Sequence, residues 1–534
     1  MAKTQSVPGT NASKRYASLS TYRDPFLSRA IEAAEVTIPA LMPPWAQGDM
    51  SHNAGAQALT TPWQSVGARG VNNLGSKLML ALLPPEAPFF RLVLDPEAEK
   101  LIESRNGGDS IPEKDTKGAI ESGTSGLEQE VMDQVDRYGI RTTAFEATKQ
   151  VVVAGNALLH MDEEAPRLFK LNEFVVKRSP RGKVLEIITQ QWISLAAMDP
   201  MLSKYVDQKT DEEKGENDES TDDTIALYTW VRRKGTQFHI HQEINDKVIV
   251  ESVHKEHVNE TSWIPLRLTK IDNEDYGRSL IEEYQGDLNS LEMLSQALTQ
   301  GAAAAAKVLF FIRPGGTTNS RDVSKAPNGG FVKGDAKDIT TLQLEKFADL
   351  SYAQGHADRI ERRLSAVFLL ASEMPRDAER VTAEEIRLIA NELEDALGGA
   401  YSLFSQEFQL PIVRWTLARM RRRKLIEAVL VKSVTPKIVT GLEALGRNHD
   451  LRKLDVLVQG ANIFGPDAVA EYVMVGNWLA RRAAALGIDM QGVLRSEEEV
   501  QRKRAEKAAQ EREAALGPET IRQAGAAAQA QQPQ

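Results

Sequence analysis

Eight residues, Gly70-Val71-Asn72-Asn73-Leu74-Gly75-Ser76-Lys77, almost reproduce a phosphate-binding loop. In that motif a glycine-rich turn aims backbone N–H groups at a nucleotide, and a closing Gly-Lys-Ser/Thr sets the lysine over the phosphates. Here serine precedes lysine, a shift of about 100° on a helix, and no strand leads into the run. The stretch therefore reads as a helix that packs through its small residues. A second candidate is the histidine group. His239 and His241 have the spacing that puts both on one strand face, and His254 and His257 follow across a turn at Asn245-Asp246. Four of the eight histidines thus fall within 19 residues. They could supply ligands for zinc, or they could form the polar face of an exposed strand. No H-E-x-x-H or carboxylate cluster accompanies them.

Carboxylates recur at Glu384-Glu385 and at Glu392, Glu394 and Asp395. Paired acids can serve acid–base chemistry, but acids in the first turn of a helix also favour the positive end of its dipole. Thr382 and Glu385 have the S/T-x-x-E spacing of a capping box, in which each side chain satisfies a backbone N–H of the other's end. From 414 to 424 there are six basic residues and no acid. That run suits contact with a phosphate backbone, or a helix end with favourable cations and salt-bridged neighbours. No nucleophile elbow, dinucleotide fingerprint or nucleophile–base pattern is present. No catalytic, cofactor-binding or metal residue is assigned, no cofactor is expected, and the chain does not read as an enzyme.

These residues have to be positioned by long helices. From Thr382 onward, apolar residues recur at Ile386, Ile389, Leu393, Leu397, Tyr401, Phe404 and Phe408, steps of three or four that keep one face apolar. Gly398-Gly399 invites a bend in that helix, and Pro411 ends or kinks it. A helix is expected to open near Pro62 and to carry Val66, Val71, Leu74, Leu78, Leu82 and Leu83. Another is expected over 127–159, with Tyr138-Gly139 and Gly155 as its weak points. Residues 104–126 read as a loop. Between 160 and 270 the period changes to short β-rich runs at 168–176, 184–193, 225–232, 238–244 and 248–253. Residues 207–223, with nine acidic and two basic side chains, read as a solvated loop. Two long helices, 279–306 and 345–370, then bracket a small strand-bearing insert, and 371–380 reads as a polar loop. Further helices are expected at 435–445, 450–460 and 468–485. Residues 1–20 and the Ala/Gln/Pro-rich tail from 517 are expected to be without fixed structure.

The chain has 534 residues, 42% of them apolar, no cysteine and a formal net charge of −10. It is long enough for several bodies with real cores and is expected to be mainly α with a β-rich region, an α+β class. The acidic balance argues against a surface built to grip nucleic acid, although not against one past which DNA slides. Residues 1–16 lack an apolar stretch, so no secretion signal is expected. No run of 18 apolar residues is present, so no membrane partner is expected.

The order of these elements resembles the phage portal proteins, the head-to-tail connectors of short-tailed, T-seven-like phages. The residues that carry the resemblance include Thr61-Pro62-Trp63-Gln64-Ser65-Val66-Gly67-Ala68-Arg69-Gly70, Phe145-Glu146-Ala147 and Val152-Val153-Ala154-Gly155-Asn156. Tyr276-Gly277-Arg278-Ser279, Ile281-Glu282-Glu283-Tyr284, Glu392-Leu393-Glu394-Asp395, Gln409-Leu410-Pro411 and Gly441-Leu442-Glu443-Ala444 extend it, so that it spans roughly residues 20–495.

The resemblance implies a portal fold with wing, stem, clip and crown, assembled as a homo-dodecameric ring. Double-stranded DNA would pass through the centre of that ring during packaging and ejection. It implies a wing over 21–275, stem helices at 276–307 and 346–370, and a clip at 308–345. A tunnel loop at 371–381, a kinked wing helix at 382–424, a crown at 425–505 and a mostly disordered tail at 506–534 would complete the chain. The implied partners are the terminase large subunit, a tail adaptor, and capsid and scaffolding proteins. The implied location is the unique capsid vertex of the virion, with the host cytoplasm before assembly. Glu373, Arg376, Asp377 and Arg380 would line the tunnel loop and touch DNA without clamping it. Asp349, Asp358, Glu361, Arg362 and Arg363 would serve the stem lumen or intersubunit pairs. Arg313, Arg321, Lys325 and Lys333 would face the terminase or the tail. The alternatives are another virion structural protein, such as a scaffold or shell component, and a multidomain metal-dependent hydrolase or nuclease using scattered carboxylates, which a metal-dependent activity lost on mutating His239 or His241 would favour.

Overall fold

The computed structural model describes residues 11–44, 59–85, 88–94, 113–194, 202–206, 224–305, 309–342, 347–370, 389, 392–393, 396–426 and 434–438, with a few positions beyond. The chain divides into two units. One comprises 1–90, 131–432 and 436–441; the other comprises 91–130, 433–435 and 442–534. Strand β1 (Phe90–Leu94) carries Leu92 of the smaller unit, whose N–H donates to the Glu128 carboxylate at 2.8 Å. Among the described residues no helix is long and apolar enough to cross a membrane.

The larger unit begins with α1 (Ala12–Glu35), where the sequence suggested an unstructured end. Ala12, Tyr16 and Leu19 lie one turn apart and bury against Val175, Ile188 and Trp230. The stripe is short and set among polar residues, so it carries little signal until a sheet lies beneath it. That sheet is five antiparallel strands in sequence order: β4 (Phe174–Arg178), β5 (Val184–Ser194), β6 (Thr224–Lys234), β7 (Gln237–Ile244) and β8 (Lys247–His257). The β7–β8 turn has Asn245 and Asp246 at φ 49° and 59°, the left-handed pair that a tight hairpin requires. Two carboxylates fix α1 to the sheet. Glu243 accepts the Ala12 N–H at 2.7 Å, and Glu186 takes Arg15 at 2.7 Å and the Trp230 indole N–H at 2.8 Å.

Helix α2 (Val66–Leu82) packs on α4 (Ile140–Ala154), which follows α3 (Glu113–Arg137) after a break at Tyr138-Gly139. The backbone of α3 starts at Glu113, inside the stretch read as a loop. α4 stops at Gly155, and residues 156–161 form strand β2 (Asn156–Met161) rather than more helix. Strand β2 is central in a three-stranded sheet between β3 (Pro166–Phe169) and β9 (Trp263–Arg267).

His160 on β2 stacks on Trp263 of β9, with ring centroids 3.9 Å apart. Burial pushes its pKa down from 6.5 to about 4, against the pull of Asp162 and Glu256. Folding therefore takes this ring up neutral. Above pH 6.5 it makes no pH-dependent contribution. As pH falls from 6.5 toward 4 the unfolded chain binds a proton that the fold refuses, and stability drops by up to about 1.4 kcal/mol per pH unit. His160→Phe keeps the stack and should flatten that part of the curve. Melting temperatures of both proteins between pH 7 and 4 test this, and parallel curves would exclude it.

Helix α5 (Leu280–Ala305) leaves this body, and α7 (Phe347–Val367) returns to it. Between them lie β10 (Leu309–Ile312), the short helix α6 (Ser320–Lys325) and β11 (Ile339–Leu342). Gly398 stands outside helical backbone at φ 53° and ψ −130°, where the sequence reading placed a bend, and α8 (Gly399–Arg422) starts after it. α8 continues through Pro411 instead of ending there. Residues 434–438 form a strand, β12 (Val434–Ile438), where a helix from 435 was expected. Its β-branched residues and central Pro436 favour extended backbone.

Candidate functional site

The feature that stands apart from the layered body is the α5–α7 hairpin with its insert. The two helices are antiparallel. Arg363 reaches Asp287 at 2.8 Å near the base, and Gly301 faces Leu350 near the far end, where a Cβ would lie 2.9 Å from the leucine side chain. On α7, Ile360, Leu364 and Phe368 just beyond it are buried, as their spacing implies. On α5 the buried residues Leu280, Ile281, Leu288 and Leu291 all lie in the first half. Met293 and Tyr352 remain 70% and 76% exposed. A helix pair that leaves such side chains in water has apolar surface still to bury.

The insert is held differently. β10 and β11 pair antiparallel from Leu309↔Leu342 to Ile312↔Ile339. Among the described side chains of the insert the buried residues are Thr318 and Asp338. The Asp338 carboxylate accepts the Thr317 N–H at 2.9 Å and the Thr318 hydroxyl at 3.1 Å. Its carbonyl accepts the Arg313 N–H at 2.9 Å. Phe331 is fully exposed and Phe311 is 53% exposed. Arg313, Arg321, Lys325 and Lys333 are all exposed on this module, which has five basic and three acidic residues over 309–342 in a chain of net charge −10. The signal for this polar node was the Gly315-Gly316-Thr317-Thr318 string with Asp338, and the sequence reading missed it.

The other candidates resolve as follows. Arg363 is engaged by Asp287 of the same chain, and Asp358 accepts from Gln354 at 2.9 Å. Asp349, Glu361 and Arg362 are exposed. Glu373, Arg376, Asp377, Arg380, Thr382 and Glu385 lie outside the described residues, as do 207–223 and most of 425–534. The four histidines lie on the adjacent strands β7 and β8, and three of them are held by local bonds. His241 is buried and bonds Glu243 at 2.8 Å, His254 bonds the Ser252 carbonyl, and His257 caps the following turn through Asn259. Burial alone would raise the Glu243 carboxyl; the bonds from His241 and from the Ala12 N–H outweigh it and hold the group below its usual range. Among the described residues no group of three or more His, Asp or Glu could hold a metal ion.

Part of the basic run is engaged within the chain, while Arg422, Arg423 and Lys424 are exposed. Arg419 lies 4.5 Å over the Tyr138 ring and 5.4 Å over Trp415, and burial lowers its pKa. Arg421 pairs with Glu260 at 2.6 Å and Arg423 with Glu163 at 3.6 Å. The near-phosphate loop is the middle of α2. Gly70 leaves room for the Phe368 ring, and Lys77 is buried and bonded to Glu392 at 3.0 Å. It is an intrachain clamp with no opening for a phosphate.

Comparison with known proteins gives this arrangement its class. A family profile described as bacteriophage head to tail connecting protein matches residues 10–494. The portal protein of Escherichia phage T7 is 38% identical over 93% of this chain and 90% of its own length. That of Enterobacteria phage T3 is 37% identical over 93% and 91%, and that of Enterobacteria phage SP6 is 31% identical over 94% and 93%. Among solved structures, a chain from the virion of a native gene transfer agent particle aligns at a TM-score of 0.32 and 12% identity, over 78% of this chain and 99% of that one; a likeness that loose carries no argument. The chain belongs to the bacteriophage head-to-tail connecting protein family. It is a portal protein of the T7-like kind, a structural component of the virion's head–tail junction and not an enzyme.

Proposed function

We propose that twelve copies of this chain close into a ring at the capsid vertex, with the α5–α7 hairpins as staves around a DNA channel. In this reading α5 and α7 are the stem and 309–342 is the clip that meets the terminase and later the tail adaptor. The layered body is the wing, and the chain waits in the host cytoplasm for capsid and scaffolding proteins. The observation that carries it is the hairpin: two helices with buried residues at the base, exposed Met293 and Tyr352 further out, and an insert whose described side chains form no apolar core. Copies around an axis bury such surface by heterologous contacts, one face meeting a different face of the next subunit. The relatives' shared name, portal protein, supports the same reading. Mass photometry and electron micrographs of the purified chain test it. The expected result is a ring with a central hole and a mass near twelve copies. A closed shell would favour another virion role, and a compact single copy at high concentration would overturn the proposal.

A further inference from the structure

The clamp on α2 leads further. The C-terminus of α7 is closed by the bonds Leu370 N–H to Ser365 C=O at 2.8 Å and Leu369 N–H to Ala366 C=O at 3.2 Å. This is a Schellman end, whose penultimate position takes a left-handed residue, usually glycine. Here that residue is Leu369, at φ 53°. A branched side chain in this region is strained and persists only when its surroundings over-determine it. Those surroundings are on α2. Asn73 Nδ2 donates to the Phe368 carbonyl at 2.9 Å and to the Leu369 carbonyl at 3.0 Å. Lys77 Nζ donates to the Leu369 carbonyl at 3.2 Å and to the Glu392 carboxylate at 3.0 Å. Phe368, fully buried, seats against Gly70. One helix therefore holds the chain on both sides of the interval 371–388.

We infer that Asn73 and Lys77 are positioning residues: they hold Leu369 in its left-handed cap and tie it to Glu392, so that the two ends of the intervening segment are fixed to one helix. The consequence for DNA passage rests on the reading of that segment as the tunnel loop. The clamp itself does not.

Hydrogen exchange on the assembled protein separates the two. Lys77→Met and Asn73→Leu should speed exchange at the amides of Phe368, Leu369 and Leu370 by about tenfold, the size expected for losing the charge-assisted bond of Lys77 or the two amide bonds of Asn73. Lys77→Arg should retain protection. Leu369→Gly, which suits the left-handed position, should restore slow exchange in either variant, and Lys77→Glu with Glu392→Lys should do better than either change alone. A general loss of stability would speed exchange across α7 and would not be corrected by Leu369→Gly. Unchanged exchange at 368–370, or speeding that Leu369→Gly fails to correct, overturns the inference. DNA retained in heads carrying Lys77→Met is the second readout. Retention falling alongside faster exchange supports the tunnel reading; normal retention despite faster exchange sinks that reading and leaves the clamp standing.

Discussion

Gly155→Ala should yield little or no folded protein, whereas Gly139→Ala should cost only about 1 kcal/mol. Both glycines end or begin a helix in the left-handed region, at φ 71° and 74°. Around Gly139 a Cβ would meet nothing within 4 Å; at Gly155 it would lie 2.7 Å from the backbone of Arg278 and Ser279 and 2.8 Å from the Gly277 carbonyl. Backbone cannot rotate out of the way, so the clash adds to the strain and the total should exceed about 3 kcal/mol. That is a large share of the ~5–15 kcal/mol that holds a typical domain. The place matters as much as the size. The Asn156 amide donates to the Gly277 carbonyl at 2.8 Å and its oxygen accepts the Gly277 N–H at 2.7 Å. The Leu268 N–H donates to the Gly155 carbonyl at 3.1 Å. This joint is where the chain turns from the three-stranded sheet into α5, so its failure should remove assembly along with stability. Soluble yield, melting temperature and mass photometry of the two alanine variants measure the contrast; equal behaviour would show that the close approach is not real.

Asp338→Ala is expected to unfold the insert and spare the rest. The module's described interior is a carboxylate with its donors, so removing it leaves the Thr317 N–H without its acceptor and the Thr318 hydroxyl with the Asp335 carbonyl in place of two acceptors. Losing bonds to a charged acceptor costs about 3 kcal/mol, and the described side chains of the insert form no apolar core to offset it. Trypsin should then cut at Arg321 and Lys325 at least about tenfold faster, while the melting temperature of the main body stays within a degree or two. Particles assembled from this variant should package or join tails poorly if the insert is the docking module. Unchanged proteolysis would show that something besides Asp338 holds the insert together.

How far the sequence could be read depended on the range of the interaction behind each element. The α5–insert–α7 order was legible, because long apolar spacing, a Pro-Gly-Gly turn and β-branched runs act within a few residues. The strands β5 to β8 were legible for the same reason. α1 was not, since three residues a turn apart mean little without the sheet they cover. The run 434–438 was read as helix from its surroundings, although Val434, Thr435 and Pro436 point to extended backbone. The basic run at 414–424 could be recognised only as charge; whether it met DNA or Tyr138, Glu163 and Glu260 depended on partners more than 150 residues away.

The two motifs Val152-Val153-Ala154-Gly155-Asn156 and Tyr276-Gly277-Arg278-Ser279 were both visible as strings and proved to be halves of one joint. Left to itself, the sequence determined most of the inventory: the long helices, the strands β5 to β8, the family the elements spell in order, and the absence of cysteine chemistry, because propensity and periodicity are local. Only the tertiary structure decided that Lys77 holds a helix end and not a phosphate, that His241 is spent on Glu243, and that the insert closes around Asp338. Those outcomes depend on which distant side chain lies within about 3 Å of a buried polar group, and no spacing along the chain carries that distance.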